Sequence, residues 1–247
     1  MLRACWRLGR AVLHGLHGVL IVLLQFPALA TDGRRKRIAW WSAKLLRVLG
    51  IDLRVHGSFK PGAKLIVANH VSWIDIMVIH AVCPEARFVS KADVKQWPLV
   101  NRLVASADTL YIQRESRRDA LRVVHQMAEA LRHGDSVAVF PEGTTGDGET
   151  LLPFHANLLQ AAIATGVPVQ PVALRFSDRQ RAVSEAAQFL GDTTLRQSLW
   201  MLAGADGLAA TLQVLPPEAS LHADRRALAD HLRTVVGARL AGAPAGR

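Results

Sequence analysis

Apolar positions crowd the start of the chain and then break into short runs. Residues 11–30 read AVLHGLHGVLIVLLQFPALA, a nearly continuous apolar stretch interrupted by His14, His17, Gln25 and Pro27. Its length is about the 20 residues that a bilayer crossing requires. Arg3, Arg7 and Arg10 precede it and Arg34, Arg35, Lys36 and Arg37 follow, without the one-sided cation excess of a single-pass helix. From residue 34 to 50 the pattern turns amphipathic, with Ile38, Leu45, Leu46 and Leu49 on one side and Lys36, Arg37, Lys44 and Arg47 on the other. Trp40 and Trp41 suit a headgroup boundary. Together these patterns predict a two-helix membrane anchor over 1–50 that dips into one leaflet and returns to the same side. A transmembrane pass is the alternative. A cleaved signal peptide ending at Ala28-Leu29-Ala30 would leave the basic run GRRKR near the new N-terminus, a poor start for an exported chain.

From about residue 52 short β-rich runs alternate with helical patterns. The strand candidates are 64–68, 87–90, 109–113, 136–140, 169–174 and 211–215, each apolar and bounded by Gly, Pro or Asp. A helix is predicted over 117–133, capped by Ser116 with Asp119, with Ala120, Val124, Met127 and Leu131 facing inward and Gly134 at its stop. Leu228, Leu232 and Val235 mark a last amphipathic helix, and residues 241–247 read as a disordered tail. The pattern predicts an α/β chain: a single domain over 51–240 with a central mixed sheet flanked by helices, following the anchor.

Composition narrows the class. Half of the 247 residues are hydrophobic and 20% are charged, with a net charge of +10. A mean hydropathy of +0.17 beside that charge points to an anionic membrane surface. Nucleic acid is excluded as a partner: RRKR is the only dense basic run and the chain has a single Tyr. Cys5 and Cys83 cannot build a disulfide scaffold, and no metal-ligand spacing such as HExxH occurs, so no metal is expected.

Two segments at strand exits carry chemistry. In Asn69-His70-Val71-Ser72-Trp73-Ile74-Asp75, an Asp five positions after a His can hold one ring nitrogen protonated and leave the other as a proton acceptor. Ser72 is read as a cap for the helix that starts there. His80 and Glu85 repeat the spacing on a helix leading into a loop and read as surface charge. In Phe140-Pro141-Glu142-Gly143-Thr144-Thr145, Gly143 allows a tight turn whose amides can meet an anion.

The two segments together resemble the glycerolipid acyltransferase family, typified by bacterial 1-acylglycerol-3-phosphate acyltransferases. NHVSWID is similar to its first motif and FPEGTT to its third. Tyr111-Ile112-Gln113-Arg114 resembles the second, and Val167-Pro168-Val169-Gln170-Pro171-Val172 the fourth. The resemblance spans about residues 64–175 and implies His70 as general base, oriented by Asp75. It also implies an acceptor site drawing on Arg114, Glu142, Gly143, Thr144 and Lys91. The implied reaction takes a fatty acyl group from acyl-CoA or acyl carrier protein, with no cofactor, to a lysolipid hydroxyl. Transfer is direct, since the chain has no GxSxG elbow. The expected location is the cytoplasmic face of the bacterial inner membrane, as a monotopic or single-pass protein. Thr145 stands where family members usually carry Arg, and His155 where Lys is common. The reading leans to 1-acyl-sn-glycerol-3-phosphate as acceptor, with another lysolipid such as lyso-ornithine lipid, or an idle lipid-binding protein on the same fold, as alternatives.

Overall fold

In a computed structural model, residues 1–91, 100–112 and 117–242 are described. Helix α1 (Leu2–Leu20) continues through a π-helical turn (Ile21–Gln25) and a 3-10 turn (Phe26–Ala28) before α2 (Thr31–Leu49). There follow β1 (Asp52–His56), β2 (Lys64–Ala68), α3 (Ile74–Val82), β3 (Ala86–Lys91), α4 (Val100–Ser106) and β4 (Leu110–Ile112). Then come α5 (Arg117–Arg132), β5 (Ser136–Val139), α6 (Gln160–Thr165), β6 (Val169–Ser177), α7 (Leu195–Gly204), β7 (Ala209–Val214) and α8 (Arg225–Ala241).

The strands form one seven-stranded sheet in the order β1-β7-β6-β2-β5-β3-β4. All neighbours pair in parallel except β6 and β7, which makes the sheet mixed. The alternation of side chains across a strand separates two cores. Ile66, Ala68, Ala138, Val172 and Leu174 face the layer of α2, α3 and α7. Leu65, Val67, Val137, Val139 and Val169 face the layer of α5, α6 and α8. Buried on both faces, β2 and β5 are apolar along most of their length, as parallel central strands require. The polar exceptions, Lys64 and Ser136, are buried at the starts of β2 and β5, where Lys64 donates to Ser136 Oγ at 2.8 Å and pairs with Glu85 at 3.3 Å.

The predicted strands all appear, and β1 joins them unannounced. Its residues are nearly all exposed at the sheet edge, so no apolar run marks it. In α8 the buried valine is Val236, not Val235, which is only partly covered. His80 is not surface charge: it is buried against Phe88, with its Nε2 donating to the Ala86 carbonyl at 2.9 Å. Burial holds its pKa down to about 4.

The N-terminal helices pack into this body. Leu45, Leu46, Leu49 and Ile51 belong to the same core as the sheet, so no seam falls at residue 50. α1 and α2 run antiparallel, His14 Nε2 meeting the Trp41 carbonyl at 2.9 Å and Trp41 Nε1 donating to the His14 carbonyl at 3.0 Å. Gly18 allows this approach, since a Cβ there would sit 2.4 Å from Trp41 Nε1. Arg3 and Arg7, which precede the apolar stretch in the sequence, close the C-terminus of α7. Arg7 donates to the carbonyls of Ala203 and Ala205, and Arg3 donates to that of Gly204 and to Asp206 Oδ1. The end of a helix exposes carbonyls that attract cations, which is the pull that seats both guanidinium groups here.

Candidate active site

β2 and β5 are neighbours, so the segments that leave their C-terminal ends meet at one edge of the sheet. In open α/β sheets this edge is where ligands bind. Beyond β2 the chain is held against β6 by Asn69, whose amide donates to the Leu174 carbonyl and accepts from the Leu174 N–H, both at 2.8 Å. His70 follows, with its side chain 20% exposed.

Asp75, in the first turn of α3, is wholly buried. Its Oδ2 accepts from His70 Nδ1 at 2.8 Å and from the backbone N–H groups of Val71 and Ser72 at 2.7 and 2.9 Å. An ionised carboxylate is an acceptor only, so the Nδ1 facing it carries the proton and Nε2 is the basic nitrogen. The imidazole plane is fixed from below by Phe140, stacked at a centroid distance of 4.0 Å with 7° between planes. Phe88 lies beneath Phe140 at 5.7 Å.

Glu142 is 5% exposed and spends both oxygens on backbone. Oε1 accepts from the His70 N–H at 2.7 Å and Oε2 from the Leu152 N–H at 2.9 Å. The Gly146 N–H donates to the His70 carbonyl at 2.7 Å. Glu142 therefore ties the His70 loop to its own loop and to residue 152. Burial raises its pKa, opposed by these two N–H donations and by His70. Gly143 turns the chain at φ +74°, and a Cβ there would lie 3.0 Å from the His155 ring.

Residues 52–175 match the family described as Acyltransferase. A lyso-ornithine lipid O-acyltransferase of Pseudomonas aeruginosa is 39% identical over 216 residues, 87% of this chain and 82% of that protein. A 1-acyl-sn-glycerol-3-phosphate acyltransferase of Neisseria gonorrhoeae is 35% identical over 191 residues, 77% of this chain and 74% of its own. The chain belongs to the acyltransferase family. The crystal structure of the 1-acyl-sn-glycerophosphate acyltransferase PlsC from Thermotoga maritima shares the fold, with a TM-score of 0.69 at 22% identity over 95% of this chain and 96% of that one.

Within this acyltransferase the predicted residues that are described fall along one sheet edge. His70, Asp75, Glu142 and Gly143 come together, and Thr144 is exposed on the same loop. Lys91 ends β3, one strand beyond β5, with its backbone paired to Ile112. Arg114 lies outside the described residues, two positions past β4, as does Ser116. Ser72 is no helix cap in the acyltransferase: its hydroxyl is fully buried without a partner, and its N–H is held by Asp75. Thr145 donates its hydroxyl to the Phe189 carbonyl. Asn69, Phe140 as a stacking platform and the Leu152 N–H were missed as site elements. Asn69 and Phe140 are the first residues of the two motifs and could have been found there, whereas a backbone N–H leaves no mark in the sequence.

Proposed function

We propose that this acyltransferase moves a fatty acyl group from acyl-CoA or acyl carrier protein to the free hydroxyl of a lysolipid at a membrane surface. The His70–Asp75 pair, Nδ1 to Oδ2 at 2.8 Å with Nε2 left without a hydrogen-bond partner among the described residues, is the observation that carries this reading. The acceptor hydroxyl passes its proton to Nε2 while its oxygen adds to the thioester carbonyl carbon. As the tetrahedral intermediate collapses the C–S bond breaks, and the imidazolium returns the proton to the leaving thiolate. Asp75 favours the imidazolium throughout. Transfer is direct: Ser72 and Cys83 are buried, and burial raises the Cys83 thiol pKa, so neither is a ready nucleophile.

Lyso-ornithine lipid takes first place as acceptor, reversing the order read from the sequence. Thr145, in place of the usual Arg, spends its hydroxyl on Phe189, and His155 rather than Lys sits beside Gly143. The relative at 39% identity is named for that acceptor. Lysophosphatidic acid is the second reading, favoured by the Neisseria relatives and by Arg114.

The helical stretch Leu2–Ala28 is long and apolar enough to cross a membrane by length and composition. Its outer face exposes Leu2, Trp6, Leu13, Leu16, Leu20 and Leu24, while its inner face packs against α2 and α7. A helix seated along the body in this way favours a monotopic protein, with the cytoplasmic leaflet as the surface that both substrates can reach.

Membranes containing the chain, supplied with each donor and with lyso-ornithine lipid or lysophosphatidic acid, test the reading. Acylation of neither lipid by either donor would overturn it. Thr145→Arg should shift preference towards lysophosphatidic acid, and an unchanged ratio would remove position 145 from headgroup selection.

A further inference from the structure

On the side of the sheet that carries α8, a cleft of about 330 Å³ opens between the C-terminal half of α8 and the loop at 149–151. Arg175 of β6 and Arg233 of α8 line it, with hydroxyls from Thr150 and Thr234 and an apolar wall from Leu151 and Leu240. Along β6, Val172 and Leu174 face the layer of α2, α3 and α7, whereas Ala173 packs against Val236 and Leu240. Alternation places Arg175 on the same side as Ala173.

Arg175 is the anomaly in this cleft. Its Nε is buried with no hydrogen-bond partner, and its guanidinium forms no ion pair among the described residues. Arg175 as a whole is only partly buried, so its charge meets the cleft while its buried, unpaired N–H costs free energy that an anion's oxygen would recover. Glu149 stands exposed at the rim and is paired with neither arginine.

The cleft shares a loop with the catalytic histidine. Arg233 donates to the carbonyls of Leu152 at 3.1 Å and Leu151 at 2.7 Å. The Leu152 N–H donates to Glu142, which accepts the His70 N–H through its other oxygen. The carbonyls of Thr150 and His70 each lie 3.8 Å from the position a Cβ would take on Gly146.

The apolar helix α1 packs on the opposite layer, against α2 and α7. The cleft therefore lies across the sheet from the surface that α1 would offer to a membrane, on the side open to a water-borne ligand. In the reaction proposed above, the substrate with a water-borne end is the thioester donor. Both CoA and the prosthetic arm of acyl carrier protein hold the thioester on a long pantetheine chain that begins at a phosphate.

We propose that Arg175, seconded by Arg233, binds the phosphate of the acyl donor and so places the pantetheine arm over the sheet edge towards His70. The assignment rests on the acyl-transfer reading, and it names the half of the site that the motifs leave unassigned.

The test compares wild type, Arg175→Met and Arg175→Lys as full chains in detergent. CoA binding is followed by calorimetry, and KM is measured for acyl-CoA, acyl carrier protein, the phosphate-free donor acyl-pantetheine and the lysolipid. Arg175→Met should weaken CoA binding and raise the KM of both phosphate-bearing donors about 10-fold. Arg175→Lys should do so less, and the KM values for acyl-pantetheine and lysolipid should not move. An equal loss with acyl-pantetheine would make Arg175 structural and overturn the assignment. A rise confined to the lysolipid KM would make the cleft a headgroup site, and an unchanged affinity for CoA would leave it without this ligand; both also overturn it. If Arg175→Met does not fold, Arg175→Lys against the acyl-pantetheine control decides. If no lysolipid is acylated yet CoA binding depends on Arg175, the reaction falls and the phosphate site stands.

Discussion

Asp75 loads one of its two oxygens with three N–H donors, while Oδ1, also buried, has none among the described residues. The arrangement makes Asp75 a positioning residue as much as an electrostatic partner. An Asn in its place can put its carbonyl oxygen where Oδ2 was and keep the loop folded, but it cannot stabilise an imidazolium. Asp75→Asn should therefore lower kcat about 100-fold or more with little change in melting temperature, and His70→Ala should do the same. A loss of fold in either variant would recast the pair as structural. Ser72 gives the opposite expectation. Removing a buried hydroxyl with no partner should leave turnover intact and stabilise the protein by about 1 kcal/mol, read by thermal melting. A tenfold loss of activity in Ser72→Ala would return that hydroxyl to the chemistry.

At the scale of elements, α3 and β3 are locked by a neutral histidine. His80 donates to the Ala86 carbonyl, its ring is edge-on to Phe88 at 5.0 Å, and burial holds its pKa at about 4, against a pull upwards from Glu85. The unfolded chain binds this proton below about 6.5 and the folded chain only below about 4. Stability is thus fully present above pH 6.5 and falls as the pH drops towards 4, by up to about 3 kcal/mol. Denaturant melts of wild type and His80→Gln across that window should show a shallower slope in the variant; equal slopes would exclude His80 as the source. The contrast between β1 and β2 shows what was legible. β2 is buried on both faces and writes itself as KLIVA, whereas β1 lies exposed at an edge and carries no pattern. His70 and Asp75 were legible because hydrogen bonding across one turn fixes their spacing. Glu142 was legible as a motif but not as a clamp, since both of its partners are backbone N–H groups, one of them at residue 152. The roles of Arg3 and Arg7 were hidden for the same reason: they meet carbonyls some 200 positions away, and carbonyls look alike in every sequence.

For the molecule as a whole, the continuous apolar run at the N-terminus reflects a helix with two jobs. One side of α1 joins the core through Ala4 and meets α2 at His14 and Gly18, and the other leaves Leu13, with Leu24 of the π-helical turn that follows, some 70% exposed. Burial of such side chains in a bilayer is worth roughly 1.5–3 kcal/mol each. Leu13→Glu should therefore cut binding to anionic vesicles at least tenfold in a sedimentation assay without altering the melting temperature. Undiminished binding would place the membrane contact elsewhere. Gly18→Ala should act the other way, separating α1 from Trp41 and lowering the melting temperature. The guanidinium groups that close α7 bear on protein engineering. A shortened chain starting at residue 31, made to gain solubility, would uncover the carbonyls of Ala203, Gly204 and Ala205 together with the apolar surface around Leu46. Shortening would yield an aggregating body, and the usable handle for improving expression is the outward row of leucines, replaced one at a time.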